Sequence, residues 1–265
     1  MFKVFYILST SLFLTGLSFE LFAQPSFALN GSSTLLTDNC YQLTSGQSMN
    51  DVGSLWCEFP LELNNVLDLN FAVNLGCSKN AGEGFAFVMH TDSTGLDALG
   101  CAGELLGFGA GSECVGIQPS LAVEIDTRYN RGHRDLYQPH LSLVKDGNMS
   151  SPLLPPVRVK SAGKDIRDCE YHHVRITWKP SEKEFCVYID QERRIFYQED
   201  VLNTFFNGKS EVFFGFTASS GRKATMQMVC VQSLKMEVDP YFERQHNFEE
   251  GVGIYPNPIN EKLTI

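Results

Sequence analysis

Between residues 66 and 75 the chain reads VLDLNFAVNL, in which Leu67, Leu69, Phe71, Val73 and Leu75 alternate with Asp68, Asn70 and Asn74. Side chains two apart on an extended chain share a face, so this spacing predicts a strand with one buried side. Shorter runs of the same kind recur at GFAFVMH (84–90), SLAVEID (120–126), HLSLV (140–144), HHVRITW (172–178), EFCVYID (184–190), EVFFGFTA (211–218) and TMQMVCVQSLKM (225–236). Turn signals such as SKNAGEG, KDGN, KPSEKE and SSGRK separate them. Many strands with few helical stretches imply an all-β sandwich or jelly roll of two packed antiparallel sheets. Period alone does not say which strand pairs with which. The pattern defines a domain over 24–238. It then loosens into a polar linker at 239–250, and a new short apolar pattern begins at 251–265. That last stretch is either a strand docking on the main domain or the start of another module.

Composition supports strands: the 265 residues include 20 Phe and 9 Tyr, both at home on a pleated surface. The net charge is −10 and the basic residues form no run or stripe, so a nucleic-acid partner is excluded. Residues 1–23 read as a secretory signal peptide, with Lys3, an apolar run from Val4 to Leu17, and cleavage between Ala23 and Gln24. A membrane anchor is the alternative, but Ser9, Thr10, Ser11, Thr15 and Ser18 interrupt the run and no further segment of spanning length follows. The expected location is secreted or at the cell surface. Eight cysteines lie beyond the leader, none at zinc-site spacing, which favours disulfides. Cys101 with Cys114 is the pairing we expect, with free buried cysteines as the alternative for some of the others.

The informative segment is AVEIDTRYNRGHRDLYQPHLSL, residues 122–143. On a strand, Leu121, Val123 and Ile125 enter the core while Glu124 and Asp126 point together to the other side. Carboxylates held so close repel unless a cation or water lies between them. Asn130, Asp135 and His140 follow, with Gly132 permitting the chain to turn back. Carboxylate and carbonyl oxygens suit calcium, and an imidazole suits a transition ion such as manganese. Asp126 and Asp135 are placed to bridge two ions. The bland alternative is a solvated acidic strand edge with His140 on the surface.

This segment resembles the metal-binding stretch of the legume-type (L-type) lectins, in which a VAVEFDT strand leads to Asn, Asp-Pro and Pro-His. Here VEIDT, Asn130, Asp135 and Pro139-His140 match without an insertion. The resemblance covers most of residues 26–236: AGEGFAFVMH is similar to the family's GADGFAFVL, AGELLGFG to its Gly-rich loop, and VFFGFTASSG to its VxxGFSATTG strand and loop. It implies a concanavalin A-like jelly-roll sandwich that binds glycans, with Ca2+ and Mn2+ or another transition metal. By the same resemblance Glu124, Asp126, Asp135 and His140 hold the transition metal, and Ser150 reaches it through water. Asp126, the Arg128 carbonyl, Asn130 and Asp135 hold calcium. The sugar site comprises Glu83, Gly103, Arg128, Asn130 and the loop around Gly221, Arg222 and Lys223. Relatives often pair through a flat sheet, so a homodimer is compatible with it.

Three positions depart from the family pattern. Glu83 stands where the family has Asp, usually after a cis peptide, and the sequence leaves the form of Gly82–Glu83 open. Arg128 replaces a common aromatic ring, with stacking or hydrogen bonding by its guanidinium, or Tyr129, as the substitutes. Glu104 adds bulk to the Gly-rich loop. A polysaccharide hydrolase on the same kind of sandwich is the first rival reading, because one such family carries Glu-Ile-Asp followed by a second Glu. Retaining cleavage needs two carboxyls about 5 to 5.5 Å apart, and here Thr127, Arg128 and Tyr129 follow instead. A surface adhesion module that binds no sugar is the second rival. The expectation is a lectin and not an enzyme. At the C-terminus, IYPNPINEKLTI resembles the opening of a type IX secretion sorting domain, normally much longer, so this copy looks truncated.

Overall fold

The alternating runs pair as antiparallel strands throughout the described residues. The computed structural model describes residues 25–241, apart from 38, 81, 113 and 161–164, together with 263–264. The expected leader at 1–23 and most of the C-terminal segment (242–262 and 265) lie outside them.

In chain order the strands begin with β1 (Phe27–Gly31), β2 (Thr34–Thr37), β3 (Cys40–Ser45), β4 (Val52–Cys57) and β5 (Leu61–Glu62). Next come β6 (Asn65–Asn74), β7 (Gly84–His90), β8 (Ser120–Asp126), β9 (His140–Lys145) and β10 (Val157–Arg158). The last group is β11 (His172–Lys179), β12 (Glu184–Ile189), β13 (Glu192–Gln198), helix α1 (Val201–Phe206), β14 (Glu211–Ser219), β15 (Met226–Val238) and β16 (Leu263–Thr264). One sheet runs β1-β4-β14-β7-β8-β9-β10 with β5 beside β14; the other runs β13-β12-β11-β6-β15-β3-β2 with β16 beside β15. The sandwich is all-β apart from α1 and short helical turns. No helix among the described residues is long and apolar enough to cross a membrane.

Phe216 sits at the centre of the inter-sheet core, fully buried, with the rings of Phe27, Phe71, Phe85 and Phe87 around it. Leu121, Val123 and Ile125 of β8 join this core, as the alternation predicts. The opposite face of β8 is not solvated, however. Ala122 of β8, Ala86 and Val88 of β7 and Trp56 of β4, on the same face of this sheet, pack against Ala98, Leu106, Phe108 and Ile117 from the segment between β7 and β8, forming a second core. The Cys101–Cys114 disulfide expected from sequence closes that covering segment. Cys40–Cys230 and Cys77–Cys169 are also paired, whereas Cys57 and Cys186 are free and buried. Asp239, the first residue of the expected linker, is buried and accepts from the Ser181 amide at 3.1 Å.

His90 is buried beside the second core, with ring centres 4.3 Å from Trp56 and 5.4 Å from Phe213. Burial pushes its pKa down to about 4, against a smaller upward pull from Asp92. The unfolded chain takes up this proton near pH ~6.5 and the folded chain only near 4, so stability is full above the first value and falls away toward the second. The loss is about 2 kcal/mol at a pH of about 5. His90→Gln should make the acid limb of a urea-midpoint profile shallower by that amount. Parallel profiles for variant and wild type would assign the acid sensitivity to other groups.

Candidate metal and carbohydrate site

Register gathers the sequence-predicted residues at one end of the sheet that contains β14, β7, β8 and β9. Gly84 pairs with both Asp126 and Ser219, and Asp126 pairs with His140, so the start of β7, the end of β8, the start of β9 and the end of β14 coincide. On β8, Glu124 lies opposite Ser142 and Asp126 opposite His140. The loop from Thr127 to Pro139 then brings Asp135 back: its carboxylate accepts from the Asn130 amide at 2.6 Å and lies 3.5 Å from His140 Nε2. The reversal is made by Arg134 at φ +62, not by Gly132, whose φ is ordinary and beside which an added Cβ would meet nothing.

Ligand atoms of Asp126, Asp135 and His140 lie within 4.8 Å of one another. His140 Nδ1 is 3.2 Å from the Gln138 carbonyl oxygen. That acceptor calls for a proton on Nδ1, which leaves the Nε2 lone pair facing the carboxylates. His140 Nε2, Glu124 Oε2 and Asn130 Oδ1 are buried without a hydrogen-bond partner. Burial pushes the Glu124 carboxyl up to about 7, the Ser142 hydroxyl and His140 pulling the other way. Asp126 is raised well above the ordinary range by burial and then by repulsion from Glu124 and Asp135. Buried polar atoms are ordinarily satisfied. The donor set, two carboxylates and an imidazole with an amide oxygen and a third carboxylate close by in the fold, is chemically suited to a hard cation beside a transition ion. Ser150 is exposed in the turn beyond β9, with no hydrogen bond to this group among the described residues.

The residues expected to touch sugar lie around this cluster. The Glu83 carbonyl accepts from both the amide and the hydroxyl of Thr127 at 2.9 Å, and the Glu83 amide donates to Ser219 O at 3.3 Å. Its carboxyl is buried, raised by that burial and opposed by Arg128 and Asn130, with Arg128 Nη1 3.6 Å away. The Gly82–Glu83 peptide is trans. Gly103 carries φ +69 and borders open space, and its carbonyl accepts from the Ser219 hydroxyl at 2.5 Å. Glu104 accepts from the Asn130 side-chain amide at 2.9 Å. Arg222 is exposed on the loop after β14 and makes no hydrogen bond or ion pair among the described residues. Sequence reasoning missed Tyr137, Lys79 and Arg167, which come from separate loops. Tyr129 and Tyr137 stack 4.2 Å apart, and Arg167 donates to the Lys79 and Thr127 carbonyls at 2.6 and 2.7 Å.

Two antiparallel sheets carrying this end-on loop cluster define a lectin-type β-sandwich. Residues 21–233 match the family described as the legume lectin beta-barrel domain, and the chain belongs to that L-type lectin family. Among solved structures, the chain is similar to the winged bean acidic lectin complexed with methyl-α-D-galactose, at 16% identity over 82% of this chain and 94% of that one, with a TM-score of 0.65. The lectin from Bauhinia forficata in complex with GalNAc is 18% identical over 80% and 93%, TM-score 0.66. Arcelin-5, a lectin-like defense protein from Phaseolus vulgaris, is 17% identical over 80% and 93%, TM-score 0.62. At these identities the likeness establishes the fold.

Proposed function

We propose that this is a secreted carbohydrate-binding protein, not an enzyme, whose sugar site is ordered by a calcium and transition-metal pair. The observation that carries this reading is the convergence of Glu124, Asp126, Asp135, His140 and Asn130 with three of their ligand-type atoms buried and unpartnered. Bound cations would offset the repulsion among these carboxylates and hold the loop from Thr127 to Asp135 in place. Glu124, Asp126, Asp135 and His140 would take the transition ion, and Asp126, Asp135, Asn130 and the Arg128 carbonyl the calcium.

The protein's own groups then do the recognition. A carboxylate accepts from sugar hydroxyls and an amide both donates and accepts, so Glu83 and Asn130 together can hold neighbouring hydroxyls. Glu104 already occupies the Asn130 amide, so a sugar oxygen entering there replaces one acceptor with another. Open space at Gly103 leaves room for the ring. Two structural relatives are described with a galactoside or GalNAc bound, which supports a glycan as ligand. Three disulfides fit an oxidising, extracellular compartment.

Retention on immobilised glycans, with the protein loaded with calcium and manganese, is the test. Retention abolished by chelator is the expected result. Chelator-insensitive release of cleaved product would replace this reading with a hydrolase, and no retention on any glycan with an adhesion module.

A further inference from the structure

Beside Glu83 lies a pocket of about 270 Å³ whose wall includes Lys79, Arg128, Arg167, Lys223, Tyr129 and Tyr137, with no acidic side chain among its described lining residues. This concentration of cations stands out in a chain of 21 basic and 31 acidic residues. The four are not equivalent. Arg167 is committed to Asp165, with two guanidinium bonds of 2.8 and 2.9 Å, and to the two loop carbonyls it bridges. Arg128 is only loosely paired with Glu83, and its Nη1 is buried without a hydrogen bond. Lys79 and Lys223 are exposed and form no ion pair among the described residues, although Lys79 helps hold the Asp165 carboxyl low.

Free cations left unpaired at the rim of a polar pocket attract an anion, and a guanidinium N–H buried without an acceptor calls for one. The stacked Tyr129–Tyr137 pair beside them offers an aromatic surface to the C–H face of a ring. We infer that the glycan carries a negative charge, a uronic-acid carboxylate or a sulfate ester, seated between Arg128, Lys79 and Lys223 while its ring lies against Tyr129 and Tyr137. The inference rests on the carbohydrate-binding reading above and names the ligand class for that site. Arg128 thereby takes the anion where many family members place a ring, and the tyrosines supply the ring.

The test uses the calcium- and manganese-loaded protein on an array of neutral, uronate-containing and sulfated glycans, followed by calorimetry. The probes are an oligogalacturonate, its methyl ester and a sulfated galacto-oligosaccharide. At least one anionic probe is expected to bind at least about tenfold more tightly than the neutral ester, with the gap narrowing as salt rises. The double variant K79Q/K223Q should lose about tenfold toward that probe at unchanged metal content. A sulfate-only preference would identify the anion as a sulfate ester and a uronate-only preference as a carboxylate, both in support. Equal binding of acid and ester with no sulfate preference, array binding confined to neutral glycans, or an unaffected double variant would overturn the anionic ligand and leave carbohydrate binding standing. Binding to no member of the array would overturn the carbohydrate reading and this inference together.

Discussion

Asp126→Ala is expected to strip the protein of both divalent cations at once and to abolish glycan retention. Its carboxylate lies opposite His140 across the β8–β9 ladder and within 4.8 Å of the Asp135 and His140 ligand atoms, and in the proposed arrangement it is a ligand of both ions. Stability should change sign with conditions. In chelator, the wild type buries a carboxyl that burial and two neighbouring acids disfavour in its charged form, and removing it should leave the variant at least as stable. With ions in excess the wild type gains by mass action, about 2.7 kcal/mol at a hundredfold over the dissociation constant, and the variant does not. The order of the two melting temperatures therefore reverses between chelator and saturating calcium with manganese. Metal analysis after dialysis reads the same event directly. Retention of one ion by the variant would remove the shared role assigned to Asp126, and glycan binding by an ion-free variant would remove the proposed function.

How legible each part was depends on what surrounds it. The run 66–75 was plain because β6 has one face in the inter-sheet core and polar residues such as Asp68 and Asn70 on the other. At β13, the edge strand ERRIFYQ, charge hides the pattern: Arg193 is exposed and Arg194 reaches across to the Arg158 carbonyl. β4 was missed for the opposite reason, since Trp56 and Leu55 enter different cores and no polar alternation remains. The second core was invisible because the segment covering it has no period, only glycines and short turns. Helix α1 had a usable signal in Asp200, whose side chain accepts from the Asn203 amide as an N-cap, but its six residues are too few to show a helical period.

That the acidic, amide and imidazole side chains of the candidate metal site gather was readable because they fall within one continuous stretch, two on a strand, two in the next loop and one at the start of the adjoining strand. The cationic pocket was not. Lys79 and Arg167 belong to loops joined in space by Cys77–Cys169 and by the hydrogen bonds of Arg167 itself, and no linear spacing encodes that meeting. The glutamate at position 83 was a departure that only the structure explains, through a residue far along the chain. The three atoms nearest to where a Cβ at Gly221 would stand all belong to the Glu83 side chain. The extra methylene is accommodated because residue 221 has no side chain.

Gly221→Ala is accordingly expected to cost glycan affinity while both ions stay bound. The Gly221 φ lies outside the left-handed region, so alanine meets no backbone strain there and the clash falls on the Glu83 carboxyl. The Glu83 main chain is held by Ser219 and Thr127, which leaves only side-chain rotation to relieve the overlap. Rotation withdraws an acceptor from the sugar hydroxyls, and each charge-assisted hydrogen bond lost is worth about 1.5–3 kcal/mol. Two such bonds correspond to about a hundredfold or more in affinity. Shortening the acid should relieve the same clash: Glu83→Asp placed in the Gly221→Ala background is expected to recover part of the loss, although each change alone weakens binding. A double-mutant cycle read by calorimetry would give that coupling its sign. If the two losses simply add, or if Gly221→Ala binds glycan as the wild type does, Glu83 is not the acid that grips the sugar.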